Sequence, residues 1–419
     1  MNPTKTSFPK DRIKVVLFEK PHERGDEVLA AEGFQVHRVD ATDDDRIAEA
    51  LHDAHLVGIR SRTHLTDAIL EQAPRLLAVA CFCIGTNQVD LDAARRRGIP
   101  VFNSPFSNTR SVAELTIAEI VCLHRRLFER SAQMHAGRWN KSASGAHEIR
   151  GRTLGIVGYG RIGSQVSVLA EAMGMRVLYH DLAPALALGN AERAASLDDL
   201  LDRADVVTLH VPATDGTRNL IGAREIARMK PGSFLINNAR GGVVDLDALA
   251  DSLRAGHLAG AALDVFPAEP GSNSEPFDSP VRGIESVILS PHIGGSTVEA
   301  QRAIAEDAAT KLVRFVNIGS TTGAVNVPEV ELPSQELAPA PSGESPRPHR
   351  ILHFHRNVPG VMSTLHKLIS DLGANVSGEY LRTREDLGYV VLDVDPTDGE
   401  ALAAALRSVP ETIRTRVLW

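Results

Sequence analysis

Thr153-Leu-Gly-Ile-Val157, followed without a break by Gly158-Tyr-Gly160-Arg-Ile-Gly163, is the stretch that decides how this chain folds. A short apolar run gives way to G-x-G-x-x-G, and helical spacing then continues from about Gly163 to Met173. Strand, glycine turn and helix N-terminus in that order make a phosphate cradle. The first glycine permits the tight turn, the second lets a pyrophosphate approach the backbone, and the third lets helix and strand pack closely. The next strand, Arg176–His180, ends in Asp181, about 20 residues past the loop, where a carboxylate holds both ribose hydroxyls. That carboxylate would repel a 2′-phosphate, so the expected cofactor is NAD rather than NADP.

Working outward, strands alternate with helical stretches, the mark of parallel α/β architecture. Val206–His210, Ser233–Asn237, Ala259–Val265 and Val287–Ser290 join the first two strands in a doubly wound, Rossmann-type parallel sheet. Upstream, Arg12–Glu19 opens another α/β unit that runs to about Pro105. One long helix is expected from about Ser111 to His135, because apolar residues recur at helical intervals from Val112 through Leu127.

Three titratable or charged residues lie just past strand ends in the glycine-loop domain: Arg240, Glu269 and His292. In an open parallel sheet, ligands bind beyond the carboxyl ends of the strands, so the three should converge. Their chemistry is consistent. Oxidising an alcohol with NAD removes a hydride from carbon and a proton from oxygen, and His292 has the pKa range for that proton. A buried Glu269 would orient the imidazole and raise its pKa, and Arg240 offers a planar fork for the carboxylate of a 2-hydroxy acid. Taken singly, each residue type at a strand end is more often a surface or capping group; the shared placement gives the reading its weight.

Composition narrows the field. The 419 residues are 43% hydrophobic and 23% charged, with a net charge of −8. An acidic balance argues against nucleic acid or an anionic membrane as partner. Cys81, Cys83 and Cys122 cannot form a disulfide framework or a standard zinc pair, and no metal site is expected. Met1–Lys20 carries no apolar signal segment, and no charge-free run could span a membrane, so a cytoplasmic setting is the default.

A second boundary is set by prolines 328, 333, 339, 341, 346 and 348. Residues 328–348 read as a Pro-rich linker. Beyond it, Arg350–His355, Val358–Leu372, Val376–Arg382, Gly388–Asp395, Asp398–Ser408 and Thr412–Trp419 give the order βαββαβ, a ferredoxin-like arrangement. The expected division is a discontinuous substrate domain (1–108 and 300–327), a nucleotide domain inserted in it (109–299), the linker, and a tail domain (349–419).

These motifs resemble those of the D-isomer-specific 2-hydroxyacid dehydrogenases. The matching segments are the glycine loop, Asn238-Ala-Arg-Gly-Gly242, Asp264-Val-Phe-Pro-Ala-Glu269-Pro and Ser290-Pro-His-Ile-Gly-Gly295. Further matches are Gly58-Ile-Arg-Ser-Arg-Thr-His-Leu-Thr66, Cys81-Phe-Cys-Ile-Gly-Thr-Asn-Gln-Val-Asp90 and Pro105-Phe-Ser-Asn-Thr-Arg-Ser-Val-Ala-Glu114. The likeness runs through the linker into the tail, which resembles an ACT domain. It implies a proton-relay pair, His292 with Glu269, and a substrate-orienting Arg240. Implied cofactor contacts, beyond Gly158, Gly160 and Gly163, are Arg161, Ile162, Asp181, His210, Asn238, Ala239, Arg240, Asp264, His292, Gly294 and Gly295. The family often has Ala-Ser before this arginine and Thr two positions after it, where this chain has Asn238-Ala239 and Gly242.

The implied reaction is oxidation of D-3-phosphoglycerate to 3-phosphohydroxypyruvate at the entry to serine synthesis. Another D-2-hydroxy acid, including 2-hydroxyglutarate made from 2-oxoglutarate, and an NAD-sensing corepressor-like protein are the alternatives. The phosphate needs further positive charge, for which Arg60 and Arg62, flanking Ser61, are the candidates. Ile84, Gly85 and Asn108 fit the substrate cleft. By resemblance, Trp139 and Lys141 reach a neighbouring subunit of a homotetramer, and His355, Asn357 and Asn375 bind L-serine as effector.

Overall fold

The computed structural model describes residues 8–41, 43–271, 274–333 and 348–418. Contacts divide the chain into two units: one runs to Pro105 and resumes at Gln301, and the other is Phe106–Ala300. Most of the expected linker, residues 334–347, lies outside the described residues, as does Trp419 at the end of the last expected strand.

In the first unit five parallel strands lie in the order Gln35–Val39, Lys14–Phe18, Leu56–Ile59, Ala78–Cys81, Val101–Phe102. The inner strands are continuous apolar runs because both faces of a parallel sheet are covered. Winding reverses between Lys14–Phe18 and Leu56–Ile59, and the carboxyl ends of that pair open the ligand crevice of such a sheet. Glu19 leaves one of these strands and Arg60 the other.

The tail forms a four-stranded antiparallel sheet, ordered Val376–Arg384, Leu387–Val394, His349–Arg356, Thr412–Leu418. Its helices, Val361–Asp371 and Gly399–Arg407, bury Leu365, Ile369, Leu402 and Leu406 against Ile351, Val390 and Leu392. The first of them starts at Val361, two residues beyond Pro359, with Gly360 as its N-cap.

The opposite face of this sheet is not free. Leu352, Phe354, Leu387, Tyr389 and Val391 share one apolar core with Phe102, Leu312 and Phe315. Phe354 stacks on Tyr389 at 4.0 Å between ring centroids, and the buried Tyr389 hydroxyl donates to the Gly319 carbonyl at 2.7 Å. Arg350 forks onto Asp393, 2.7 Å to each oxygen, and also donates to the carbonyls of Ile318, Leu332 and Pro333. Sequence alone reads the tail as tethered; the structure joins it to the apolar core that the first sheet shares with Leu312 and Phe315.

The second unit holds seven parallel strands, ordered Val287–Leu289, Gly260–Leu263, Phe234–Asn237, Val206–Leu209, Thr153–Val157, Arg176–His180, Glu192–Arg193. Six were expected, and the two-residue edge strand Glu192–Arg193 was not. Here winding reverses between Thr153–Val157 and Val206–Leu209, next to the glycine loop.

The long helix is two helices, Thr109–Arg125 and Leu127–His135. Arg126 breaks it with φ 49°, a left-handed conformation that its side chain supports by forking onto Glu129, 2.8 Å from each oxygen. Apolar spacing carried the expectation across the break, yet Leu127 and Phe128 beyond it are exposed. Among the described residues no helix is long and apolar enough to cross a membrane.

Tyr389→Phe keeps the stack with Phe354 but leaves the Gly319 carbonyl without its donor. Chemical denaturation should show a loss of about 1–2 kcal/mol.

Candidate active site

The second sheet delivers its polar residues to one edge. Gly158, at φ +93°, ends the first strand; a side chain there would lie 2.5 Å from the His210 carbonyl oxygen on the neighbouring strand. Gly160 then caps the helix Arg161–Ala172 with no side-chain hydrogen bond, and no atom lies within 4 Å of where its Cβ would be. The helix therefore begins without a side-chain cap for its first N–H groups and with open space beside Gly160, which fits a pyrophosphate. Asp181 accepts from the Tyr159 N–H at 2.7 Å and the Ala183 N–H at 2.9 Å. Each oxygen keeps acceptor capacity for a ribose hydroxyl. Arg161 lies over the Phe106 ring at 3.9 Å, with its neighbour Ile162 half-buried. His210 is neutral: burial pushes its pKa down to about 3, and Nε2 is 3.1 Å from the Thr208 hydroxyl.

A carboxylate organises the part of this edge around His292. Asp264, 1% exposed, accepts from the Ser290 hydroxyl (2.6 Å), the Ile293 N–H (2.8 Å) and the Gly294 N–H (2.7 Å). Those bonds bracket His292, whose backbone takes a left-handed φ of 55°, uncommon for a residue with a Cβ. Its Nδ1 is 2.8 Å from Glu269 Oε2. The other Glu269 oxygen accepts from the Phe266 N–H at 3.0 Å. Arg240 is brought alongside because Gly241 passes so close to the Phe266–Pro267 backbone that a Cβ would lie 1.9 Å from the Phe266 carbonyl carbon.

The electrostatics follow from these contacts. Glu269 raises the His292 pKa above its ordinary value through the hydrogen bond and its charge; burial and Arg240 oppose this. Burial would raise the Glu269 pKa, but the bonds from His292 and the Phe266 N–H outweigh it and hold the carboxylate below its usual range. The sequence reading buries Glu269; the structure leaves 35% of its side chain exposed. It sits on the loop beyond the strand Gly260–Leu263, outside the packed layer, and one hydrogen bond orients the ring without burial.

A further polar cluster went unseen in the sequence. Asn238, 7% exposed, donates to Glu119 Oε2 at 2.7 Å and to the Thr116 hydroxyl at 3.0 Å, both on the helix Thr109–Arg125. Burial pushes Glu119 up to about 7, against the pull of the Asn238 bond and with a further push from Asp264. The only signal available was an acid in the middle of an apolar helical face.

Other expected residues are placed as follows. Asn108 is buried before the same helix, its amide nitrogen 2.7 Å from where a Gly295 Cβ would be. Ala239 is buried behind Arg240, and Lys141 is exposed beyond the second half of the broken helix. Arg60, Ser61 and Arg62 follow the strand Leu56–Ile59, while Ile84 and Gly85 follow Ala78–Cys81. In the tail, His355 is buried opposite Gly388. Asn357 donates to the Glu385 carbonyl at 3.0 Å. Asn375 is not with them: the next residue, Val376, pairs with Val394, roughly 20 Å along the strand from Gly388.

Residues 117–294 match the NAD-binding domain of the D-isomer-specific 2-hydroxyacid dehydrogenases, and 351–414 match an ACT domain of the AHAS small subunit kind. A D-3-phosphoglycerate dehydrogenase of Escherichia coli K12 is 50% identical, covering 99% of this chain and 100% of its own. One from Dictyostelium discoideum is 49% identical, with full coverage of both. The solved D-lactate dehydrogenase of Aquifex aeolicus, complexed with NAD and lactic acid, has a TM-score of 0.65 at 30% identity; the match covers 75% of this chain and 100% of that one.

The chain belongs to the D-isomer-specific 2-hydroxyacid dehydrogenase family. As a dehydrogenase of this family it is NAD-dependent, and the open glycine cradle and Asp181 are the residues that fit the cofactor.

Two outcomes test the electrostatics. Glu269→Gln removes the group that raises the His292 pKa. The acid limb of the oxidation profile and the alkaline limb of the reduction profile should therefore both move to lower pH. Glu119 is an acid whose pKa is higher folded than unfolded. Its native state holds an extra proton between about pH 4.5 and 7, and stability is lost as pH rises through that window. Denaturation from pH 4.5 to 8 should show a loss of up to about 3 kcal/mol from this group, absent in Glu119→Gln.

Proposed function

We propose that this dehydrogenase oxidises D-3-phosphoglycerate to 3-phosphohydroxypyruvate at the entry to serine synthesis, with L-serine as feedback effector. The observation that carries this reading is likeness to D-3-phosphoglycerate dehydrogenases over the whole chain, tail included.

The residues divide the reaction as follows. His292 Nδ1 carries the proton that Glu269 accepts, so Nε2 is the free base, and it takes the proton of the substrate's C2 hydroxyl. Glu269 stabilises the imidazolium that results. Arg240 holds the C1 carboxylate by its planar fork, while Arg60 and Arg62 supply positive charge for the phosphate. Bound NAD supplies the hydride acceptor for C2. In the reverse direction, protonated His292 returns the proton to the carbonyl oxygen.

Regulation is read from the tail. His355 and Asn357 sit at one end of its sheet and Asn375 at the other. The three can share one L-serine only if two tail sheets pair, which favours an oligomer. Exposed Phe128, Met134 and Trp139 in the second unit support assembly as a homotetramer.

Purified protein should reduce 3-phosphohydroxypyruvate with NADH, faster than 2-oxoglutarate at equal concentration; no turnover of the phosphorylated acid would sink the reading. His292→Ala should lower kcat by roughly 10²–10⁴ while leaving NADH binding, followed by fluorescence titration, nearly intact. L-serine should slow the parent protein, and Asn357→Ala should be insensitive to it.

A further inference from the structure

Glu19 stands at the reversal point of the first sheet, where Lys14–Phe18 and Leu56–Ile59 end side by side. Its side chain is 9% exposed, and its carboxylate accepts from three backbone N–H groups of the facing loop. The bonds are 3.0 Å from Arg60, 3.1 Å from Arg62 and 2.8 Å from Thr63. Arg62 Nε lies 3.6 Å from the same carboxylate. On the loop's other side, Gln88 donates to the Arg60 carbonyl and, at 3.2 Å, to that of Gly85. The strand end pays for this placement with two successive non-glycine residues in left-handed conformation, Glu19 at φ 62° and Lys20 at 49°.

Converging N–H groups at such a crevice are a ready anion site. Here the protein's own carboxylate fills it. Left open, that nest would accept a small carboxylate as readily as a phosphate. Filled, it turns recognition of an incoming anion over to side chains such as those of Arg60 and Arg62, and it fixes where they start from.

We propose that Glu19 is a positioning residue for substrate selection: it occupies the backbone nest of residues 60–63 and so commits the loop to recognising a phosphate through its arginines. This rests on the assignment of Arg60 and Arg62 to the substrate phosphate. The carboxylate stays ionised at working pH, because the N–H bonds outweigh the burial that would raise its pKa.

The test compares 3-phosphohydroxypyruvate with unphosphorylated hydroxypyruvate in the full-length enzyme. Glu19→Gln should raise KM for the phosphorylated acid on the order of tenfold while kcat stays within about twofold. Activity on hydroxypyruvate should hold steady, so the preference between the two collapses. Glu19→Asp, which keeps the charge, should recover part of the preference. If Glu19→Gln does not fold, Gln88→Ala, which loosens the same loop from its other side, should show the same split in KM. Hydrogen exchange at Arg60, Arg62 and Thr63 should quicken in the Glu19 variant. An unchanged preference in the Glu19 and Gln88 variants, with Arg60→Ala impaired, would overturn the proposal and leave the phosphate assignment standing. An unchanged preference in Arg60→Ala and Arg62→Ala as well would overturn the assignment itself.

Discussion

Backbone N–H groups that emerge at the ends of parallel strands have lost their ladder partners and must find acceptors. Three buried or half-buried carboxylates meet that demand at the two crevices of this protein. Asp264 holds the Ile293 and Gly294 amides, Asp181 holds Tyr159 and Ala183, and Glu19 holds Arg60, Arg62 and Thr63. Each bond set fixes the course of a loop, and with it where the loop's side chains start from. His292 depends on this most: its left-handed backbone persists because Asp264 grips the residues on both sides of it.

What was legible in the sequence, and what was not, follows from the range of each signal. The glycine loop, Asp181 and the strands that end at Arg240, Glu269 and His292 are local patterns; sheet winding alone brings them to one edge. The break at Arg126 was hidden because helical periodicity reports which face is apolar and is silent on a single residue that turns left-handed. Glu119 with Asn238 was hidden for a different reason. The two lie far apart in sequence, and a buried acid looks like an interruption until its partner is seen. The pair also accounts for one departure from the family pattern: where an alanine is common, Asn238 anchors its strand end to the helix through Glu119 and Thr116.

The tail shows how composition can mislead about tertiary structure. A proline-rich stretch reads as a tether, and nothing in it says whether the domain beyond will dock. That information lies in the alternation of the first tail strand. Ile351 faces the tail's own helices, whereas Leu352 and Phe354 face the other way and would be exposed in a free domain. A strand apolar on both faces predicts a second covering layer. Here the layer is the first sheet's core, sealed by Tyr389 on the Gly319 carbonyl and by Arg350 on the carbonyls of Ile318, Leu332 and Pro333.

Two glutamates of the second unit show how little separates a reactive carboxylate from a structural one. Glu269 is partly exposed beside an imidazole and a guanidinium, so its charged form is favoured and it can balance a proton arriving on His292. Glu119 is buried with a neutral amide and a hydroxyl for company and with Asp264 nearby, so its charged form is penalised. Exchanging those surroundings would exchange the roles. Chemistry at this edge is therefore set less by which acids are present than by which of them the sheet places beside a cation.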